Sequence, residues 1–289
     1  EQIIQSFPIA VQTMLDPADC GPACISLSQD IQGQTFDYPV EFFQEKVHTI
    51  RRPRPDEFQI KEAAVKIKSS KNPIIISGGG VFYSDAMEEL SQFAIKHNIP
   101  VTQTVMGYST MKRDHSHFAG QIGGLGGKNT NTLAKETDLA IAVGTKLADF
   151  TTGSWANFEN ENFKLVSINV SRYDANKHLA QAVVGDAKVS LTELSQALGD
   201  WKVGEDWNKK SQIELKSWNE HIDKESAPTN QEVPSYVQAI GAIYRNSDPT
   251  DIAVTAAGGL VGEVIQVWRP RELNTCLLYT SPSPRDMSA

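Results

Sequence analysis

Apolar residues recur along the chain in two patterns, helical spacing and short continuous runs, and the patterns alternate most regularly between residues 57 and 198. A helix over 58–67 is predicted by apolar residues at intervals of three and four, namely Ile60, Ala63, Ala64 and Ile67. The run 73–77 (PIIIS) is short, apolar and rich in β-branched residues, which is typical of a buried strand. Helices that alternate with such strands predict a mostly parallel sheet covered on both faces.

The same alternation continues to residue 198 and bounds one α/β domain at 57–198. Further strands are predicted at 100–105, 138–143, 164–170 and 183–184. Asp85 and Glu88 have the spacing of a capping box and predict the start of a helix that runs to His97. A closing helix is predicted at 189–198.

The segments on either side are too short to bury a core of their own. Residues 1–36 are expected to form a helix and a buried strand at 22–27, the end of an α/β domain whose beginning is missing. The remaining divisions are 37–56, a linker; 199–228, a polar helical linker; 229–275, the start of a second α/β domain; and 276–289, a tail of non-native appearance. Thr229 and Glu232 predict a capping box at the first helix of the 229–275 segment.

Charge and composition exclude several classes of partner. The formal net charge is −8 and the basic residues are scattered, which argues against nucleic-acid binding. No apolar run is long enough to cross a membrane, and no secretory leader opens the chain. Three cysteines, an odd and sparse set, favour thiols in a reducing cytoplasm over a disulfide framework.

Glycine-rich turns follow or precede the predicted strands at 78–80, 120–127 and 144–153. Such turns let backbone N–H groups approach an anion, so a nucleotide or diphosphate ligand is one hypothesis for the 57–198 domain. The dinucleotide fingerprint is incomplete, because Tyr83 stands at its third glycine and no acidic residue ends the next strand. A phosphate-binding P-loop is excluded because Asn129 follows Gly127-Lys128.

His115 and His117 form a His-x-His pair, the one arrangement that raises the question of a metal. A metal centre needs a third ligand and a second shell, so a turn or surface pair is the favoured interpretation and no metal site is predicted. The sequence contains no Gly-x-Ser-x-Gly elbow, and no catalytic residue is assigned.

The order of these pieces resembles thiamine diphosphate enzymes of the acetolactate synthase type, which join a pyrimidine-binding, a central and a diphosphate-binding domain. Segments that carry the resemblance are 21–32, 73–80, 144–153 and 184–187. Lys146 and Leu147 depart from the glycine-arginine-phenylalanine pattern of the family. The segments 256–263, 268–269 and 121–124 are similar to family members that cleave a C–C bond of a cyclic dione in myo-inositol breakdown, although Val261 replaces their usual proline.

The resemblance implies a central domain at 57–198 flanked by incomplete domains, and a parent enzyme that uses thiamine diphosphate and Mg²⁺. It also implies a small-molecule cyclic dione as substrate and an active site between two chains, in a homodimer or homotetramer. Cofactor contacts are expected only at Gly258, Gly259 and Leu260, after the first strand of the diphosphate-binding domain. The family's catalytic glutamate is expected before Glu1, and its Gly-Asp-Gly metal motif does not occur in the sequence.

Two alternatives stay open. One is a carboligase of the acetolactate synthase type from the same family. The other is a central domain that binds FAD or an adenine nucleotide without catalysis. On either interpretation of the parent, the 289-residue chain by itself is expected to be inactive.

Overall fold

The computed structural model describes residues 2–256, 260–273 and 275–279. The chain separates into two compact units, Glu1–Pro53 and Arg54–Ala289. No helix among the described residues is long and apolar enough to cross a membrane.

Helices and strands are numbered in chain order. The helices are α1 Ile3–Leu15, α2 Gln29–Gln32, α3 Glu57–Lys68, α4 Gly80–Tyr83, α5 Met87–His97, α6 Lys128–Glu136, α7 Asp149–Thr152, α8 Arg172–Asn176, α9 Ala187–Leu198, α10 Glu205–Glu225, α11 Tyr236–Arg245 and α12 Leu260–Val267. The strands are β1 Pro73–Ser77, β2 Val101–Gln103, β3 Phe118–Gln121, β4 Leu139–Val143, β5 Lys164–Asn169, β6 Gln181–Val184, β7 Ala253–Ala256 and β8 Cys276–Tyr279. Short 3-10 turns lie at Val40–Phe43, Val105–Gly107 and Lys177–Leu179.

The first unit contains α1, α2 and one 3-10 turn, and its described residues include no strand. The buried strand predicted at 22–27 is therefore wrong. Leu27 is half exposed, and no other strand within the described part of the unit is available to pair with this segment. An apolar run without a strand partner leaves its backbone N–H and C=O groups to water, which removes the advantage of an extended ladder.

The second unit is built on a parallel six-stranded sheet in the order β3-β2-β1-β4-β5-β6. Strand β1 pairs with β2 on one side and with β4 on the other, and every neighbouring pair in this sheet is parallel. The chain thus winds outward from β1 in one direction and then returns to wind outward from β4. This order confirms the predicted doubly wound α/β domain. Strand β3 is the one strand of this sheet that the sequence analysis did not predict.

The core lies on both faces of this sheet. All residues of β1 and β4 are buried, and since successive side chains of a strand point to opposite faces, both faces are covered. The covering helices form two groups, in which α3, α5 and α9 pack together and α6 packs on α10. The predicted inner face of α3 is confirmed, because Ile60, Ala63, Ala64 and Ile67 are all buried.

Helix α10 is a layer of this domain, so the linker predicted at 199–228 is wrong over this helix. The side chains of Trp207 and Leu215 belong to the main hydrophobic core. The Trp207 indole N–H donates to the Pro73 carbonyl at the start of β1, with an Nε1–O distance of 2.8 Å. This packing role is not evident from the sequence, because most residues of the helix are polar and only a narrow stripe of it is buried.

Both predicted capping boxes are wrong. Helix α5 begins after Ala86, and Asp85 adopts a left-handed backbone with φ of 50°, so its carboxylate does not cap the helix. Helix α11 begins after Ser235, whose hydroxyl accepts from the Gln238 N–H while the Gln238 side chain accepts from the Ser235 N–H. The true box thus lies six residues beyond Thr229 and uses glutamine instead of Glu232.

The last described residues form a small parallel sheet of β7 and β8 together with α12. The register places Ala253 opposite Cys276 and Ala256 opposite Tyr279. Residues Cys276–Tyr279, expected from the sequence to lie in the tail 276–289, form β8 and belong to the fold. Residues 280–289 lie outside the described residues.

Candidate functional site

The carboxyl ends of β1 and β4 meet where the strand order reverses, which is where open α/β sheets bind nucleotides and related ligands. The turns Gly78–Gly80 and Gly144–Thr145 follow these two strands. The turns are therefore correctly placed for the nucleotide or diphosphate ligand that the glycines suggested.

The two turns fill this crevice with their own backbone. The Gly78 N–H donates to the Val143 carbonyl at an N–O distance of 2.9 Å, and the Gly80 N–H donates to the Gly144 carbonyl at 2.8 Å. A Cβ on Gly78 would lie 2.4 Å from the Gly144 oxygen, and one on Gly80 would lie 2.6 Å from the Gly144 Cα. The glycines are needed for contact between two turns, and these amides are already used by protein carbonyls.

Buried polar side chains next to the crevice also bond to one another. The Ser77 hydroxyl lies 2.8 Å from the Thr110 hydroxyl, and the Gln103 amide donates to Thr110 at 3.2 Å. The Gln121 amide donates to the Gln103 side-chain oxygen at 3.0 Å. A closed network of this kind satisfies its own donors and acceptors. It therefore stabilises the strand ends and leaves few free donors or acceptors for a ligand.

The glycine-rich loop 120–127 is equally closed. The Gly124 N–H donates to the Phe150 carbonyl at 2.7 Å, and the Gly127 N–H donates to the Gln121 carbonyl at 3.0 Å. A Cβ on Gly123 would lie 2.1 Å from the Phe150 oxygen. The Leu125 carbonyl of the same loop accepts a hydrogen bond from the side chain of Gln266, on helix α12. This loop therefore binds another part of the chain.

The three predicted cofactor contacts follow strand β7 in the sequence. Gly258 and Gly259 fall outside the described residues. Leu260 is the first residue of α12, and its side chain is 47% exposed. The contact of these three residues with a cofactor therefore stays a prediction.

His115 and His117 lie together at the entrance to β3, with ring centroids 5.7 Å apart. Both rings are occupied, because His115 Nε2 lies 2.9 Å from the Ser91 hydroxyl and His117 Nε2 lies 3.0 Å from Asn98 Oδ1. Burial, together with the neighbouring His115, lowers the pKa of His117 to about 4. Within the described parts of the chain, no three His, Cys, Asp or Glu side chains are grouped so as to hold a metal.

Two polar residues with a structural role at α12 were missed by the sequence analysis, Tyr108 and Gln266. Tyr108 is buried, and its hydroxyl donates to the carbonyl oxygens at the end of α12. Its partners lie more than 150 residues away along the chain, so no local spacing could reveal the contact. A lone tyrosine in a glycine- and threonine-rich turn was the only indication in the sequence.

Comparison with known families gives a match in the middle of the chain. Residues 60–194 match the family model for the central domain of thiamine pyrophosphate enzymes, a cofactor also called thiamine diphosphate. The match begins in α3 and ends in α9, and thus spans the whole six-stranded sheet. It agrees with the family resemblance drawn from the sequence.

Curated relatives match on both sides of this domain as well. A 3D-(3,5/4)-trihydroxycyclohexane-1,2-dione hydrolase of Clostridium perfringens is 34% identical over 291 residues, covering 93% of this chain and 46% of the relative. Proteins of the same name from Clostridium botulinum and Bacillus licheniformis are each 36% identical over 95% of this chain. The chain spans about half the length of these relatives, 46% of the Clostridium botulinum protein and 47% of the Bacillus licheniformis protein.

Proposed function

We propose that this chain, whose residues 60–194 match the central domain of thiamine pyrophosphate enzymes, is part of a 3D-(3,5/4)-trihydroxycyclohexane-1,2-dione hydrolase. The observation that carries the proposal is the identity of 34–36% over 93–95% of the chain to proteins of that name. The match runs through all three predicted parts and not only through the common central domain. The reaction would open the ring of the dione to a 5-deoxy-glucuronate in myo-inositol breakdown.

The proposed division of labour follows the domain order. Residues 1–36 end a pyrimidine-binding domain, 229–275 begin a diphosphate-binding domain, and 57–198 form the central domain between them. Gly258, Gly259 and Leu260 are the residues of this chain that would contact thiamine diphosphate. When bound, that cofactor supplies a carbon nucleophile and an electron sink, which allow a C–C bond beside a carbonyl to break.

Magnesium is proposed as the companion ion, since diphosphate groups in enzymes are commonly held through Mg²⁺. Its ligands are not assigned to residues of this chain, because the sequence contains no Gly-Asp-Gly motif. The central domain is then proposed to have a structural role in the complete enzyme. We further propose a cytoplasmic homodimer or homotetramer as the working form.

A nucleotide or FAD bound by the central domain gains no support from the crevice between β1 and β4. The amides of Gly78 and Gly80 donate to protein carbonyls, and the turns contact each other with no room for a Cβ. A pyrophosphate group could bind there only if these turns separated. Absorbance of the purified protein in the flavin bands would favour this alternative.

The complete enzyme tests the proposal directly. With thiamine diphosphate and Mg²⁺ present, it should consume the cyclic dione and leave pyruvate unused. Rapid consumption of pyruvate, with the dione untouched, would identify a carboligase and refute the proposed substrate. As a control, calorimetry of the 289-residue chain with the same cofactor and ion should detect no binding. Micromolar binding would show that the cofactor site lies within this chain alone.

A further inference from the structure

Helix α12 is attached to the central domain by a buried tyrosine. Tyr108, in the turn after β2, is 3% exposed. Its hydroxyl lies 2.8 Å from the carbonyl oxygen of Ile265 and is also within hydrogen-bond distance of the Trp268 carbonyl. The last carbonyl groups of a helix have no partner within the helix. Tyr108 therefore caps the carboxyl end of α12 from outside.

A glutamine side chain attaches the same helix at a second point. The Gln266 amide donates to the Leu125 carbonyl in the glycine-rich loop 120–127. Its oxygen accepts from the Trp218 indole N–H on α10, with an Nε1–Oε1 distance of 2.9 Å. One side chain thus joins three elements, and both of its functional groups are satisfied.

Charged and apolar contacts complete the attachment. Arg269, just after α12, pairs with Asp223 on α10 at 2.6 Å and donates to the Asn219 carbonyl at 3.1 Å. A separate buried cluster surrounds the tyrosine and is formed by Tyr108, Val261, Ile265, Trp268 and Cys276. The helix is therefore held at its carboxyl end and along its buried face.

Strand β7, which precedes α12 in the sequence, is less firmly held. Strand β7 pairs with β8, and the Val254 side chain is 64% exposed. Leu260, the one proposed cofactor contact among the described residues, begins α12. Its position relative to the central domain therefore depends on the anchored helix more than on the strand.

We propose that Tyr108 and Gln266 are positioning residues, which hold α12 against the central domain so that Leu260, at the start of this helix, is placed to contact thiamine diphosphate. The inference rests on the proposed function, because it needs a cofactor at this turn. On this proposal, the glycine-rich loop 120–127 is the part of the central domain to which α12 binds through Gln266. Groups that contact a cofactor must be held within about 0.5 Å of their working position, and hydrogen bonds from neighbouring side chains provide that constraint.

Hydrogen exchange in the complete protein tests the attachment without any cofactor. Tyr108→Phe and Gln266→Ala should each speed amide exchange in 263–268 by about tenfold or more, because each removes the side-chain hydrogen bonds that hold α12 to the central domain. Exchange in β1 and β4 should not change. The controls are Tyr83→Phe and Gln196→Ala, at exposed positions of the same unit. Unchanged exchange in 263–268 would overturn the inference.

Cofactor titration then separates positioning from simple support of the fold. In both variants the Kd for thiamine diphosphate, measured with Mg²⁺, should rise about tenfold, while kcat at saturating cofactor should stay within about twofold. A purely structural role would lower the fraction of active protein and leave the Kd unchanged, which would overturn the inference alone. If the wild-type protein binds no thiamine diphosphate, the proposed function fails and the positioning role fails with it.

Discussion

The six-stranded sheet and the two-stranded sheet of the second unit are both parallel, but they differ in how their strands are covered. Every residue of β4 is buried, with strands on both sides and helices over both faces. In β7, Val254 is 64% exposed, and the strand pairs with one neighbour only among the described residues. Parallel sheets are normally buried on both faces. Strand β7 therefore has the apolar sequence of an interior strand but is not covered as an interior strand is.

This difference indicates where the stability of the unit resides. The main core contains β1 to β6 with the helices around them, whereas the clusters around α11 and α12 are small. Burial of apolar area is the dominant favourable contribution to folding. Substitutions in each region test this comparison. The largest difference in the free energy of unfolding is expected between Ile141→Ala in β4 and Val254→Ala in β7.

Ile141→Ala in β4 should lower the free energy of unfolding by about 3–4 kcal/mol, because it leaves a cavity in a fully buried strand. Val254→Ala in β7 should change it by less than about 0.5 kcal/mol, since that side chain is mostly exposed. Urea titration of both variants measures the difference. Equal losses would mean that the two sheets contribute alike to stability.

Gly78→Ala should cost about 2–3 kcal/mol, because the added Cβ would lie 2.4 Å from the Gly144 oxygen and force the two turns apart. Gly21→Ala is the matched control, since nothing lies within 4 Å of the position of its Cβ. Thermal and urea unfolding report the cost. A neutral Gly78→Ala variant would show that the turns separate easily, and would reopen the crevice as a ligand site.

Acid should destabilise the central domain through its buried histidines. Burial first, and the neighbouring His115 second, lowers the pKa of His117 from 6.5 to about 4. Between these values the unfolded chain binds the proton and the folded chain does not, so stability is complete above about pH 6.5 and falls as the pH drops toward 4. Burial likewise lowers the pKa of His97 and of His115, which act in the same direction.

The expected loss from His117 is about 1–3 kcal/mol, and it can be measured by urea unfolding between pH 7 and pH 4. In the variant His117→Gln, stability should depend less steeply on pH. A slope that is the same in the variant and in the wild-type protein would contradict the assignment.

Ser235→Ala should weaken α11 by about 1 kcal/mol, because it removes the hydroxyl that caps the Gln238 N–H. Glu232→Gln should have almost no effect, since Glu232 is outside the capping box. Local hydrogen exchange of α11 is the suitable measurement, and β4 should be unaffected by either change. A larger effect from Glu232→Gln would favour the capping box predicted from the sequence.

The sequence predicted the buried strands well, because short apolar runs such as 73–77 and 139–143 occur where a parallel sheet has its interior. It failed at β3, where Gly120 and Gln121 interrupt the apolar pattern, although all four residues are buried. It also failed at 22–27, where an apolar run has no partner strand among the described residues. Strand formation depends on neighbours that are distant in sequence, and local patterns do not contain that information.

The candidate site was less predictable than the fold. Glycine spacing identified the turns at the sheet edge but not their mutual contact, which depends on the pairing of β1 with β4. The family resemblance pointed to Gly258, Gly259 and Leu260, and these cofactor contacts stay a prediction. The contact of Tyr108 with α12 depends on three-dimensional proximity alone.

Helix α10 has a practical consequence for anyone who isolates the central domain. The family match ends at residue 194 and the predicted domain at 198, yet Trp207 and Leu215 lie in the main core. A recombinant piece cut at either limit would lose the indole that bonds to Pro73 and would open one side of the sheet to water. The natural place to end such a piece is after Glu225, where α10 finishes.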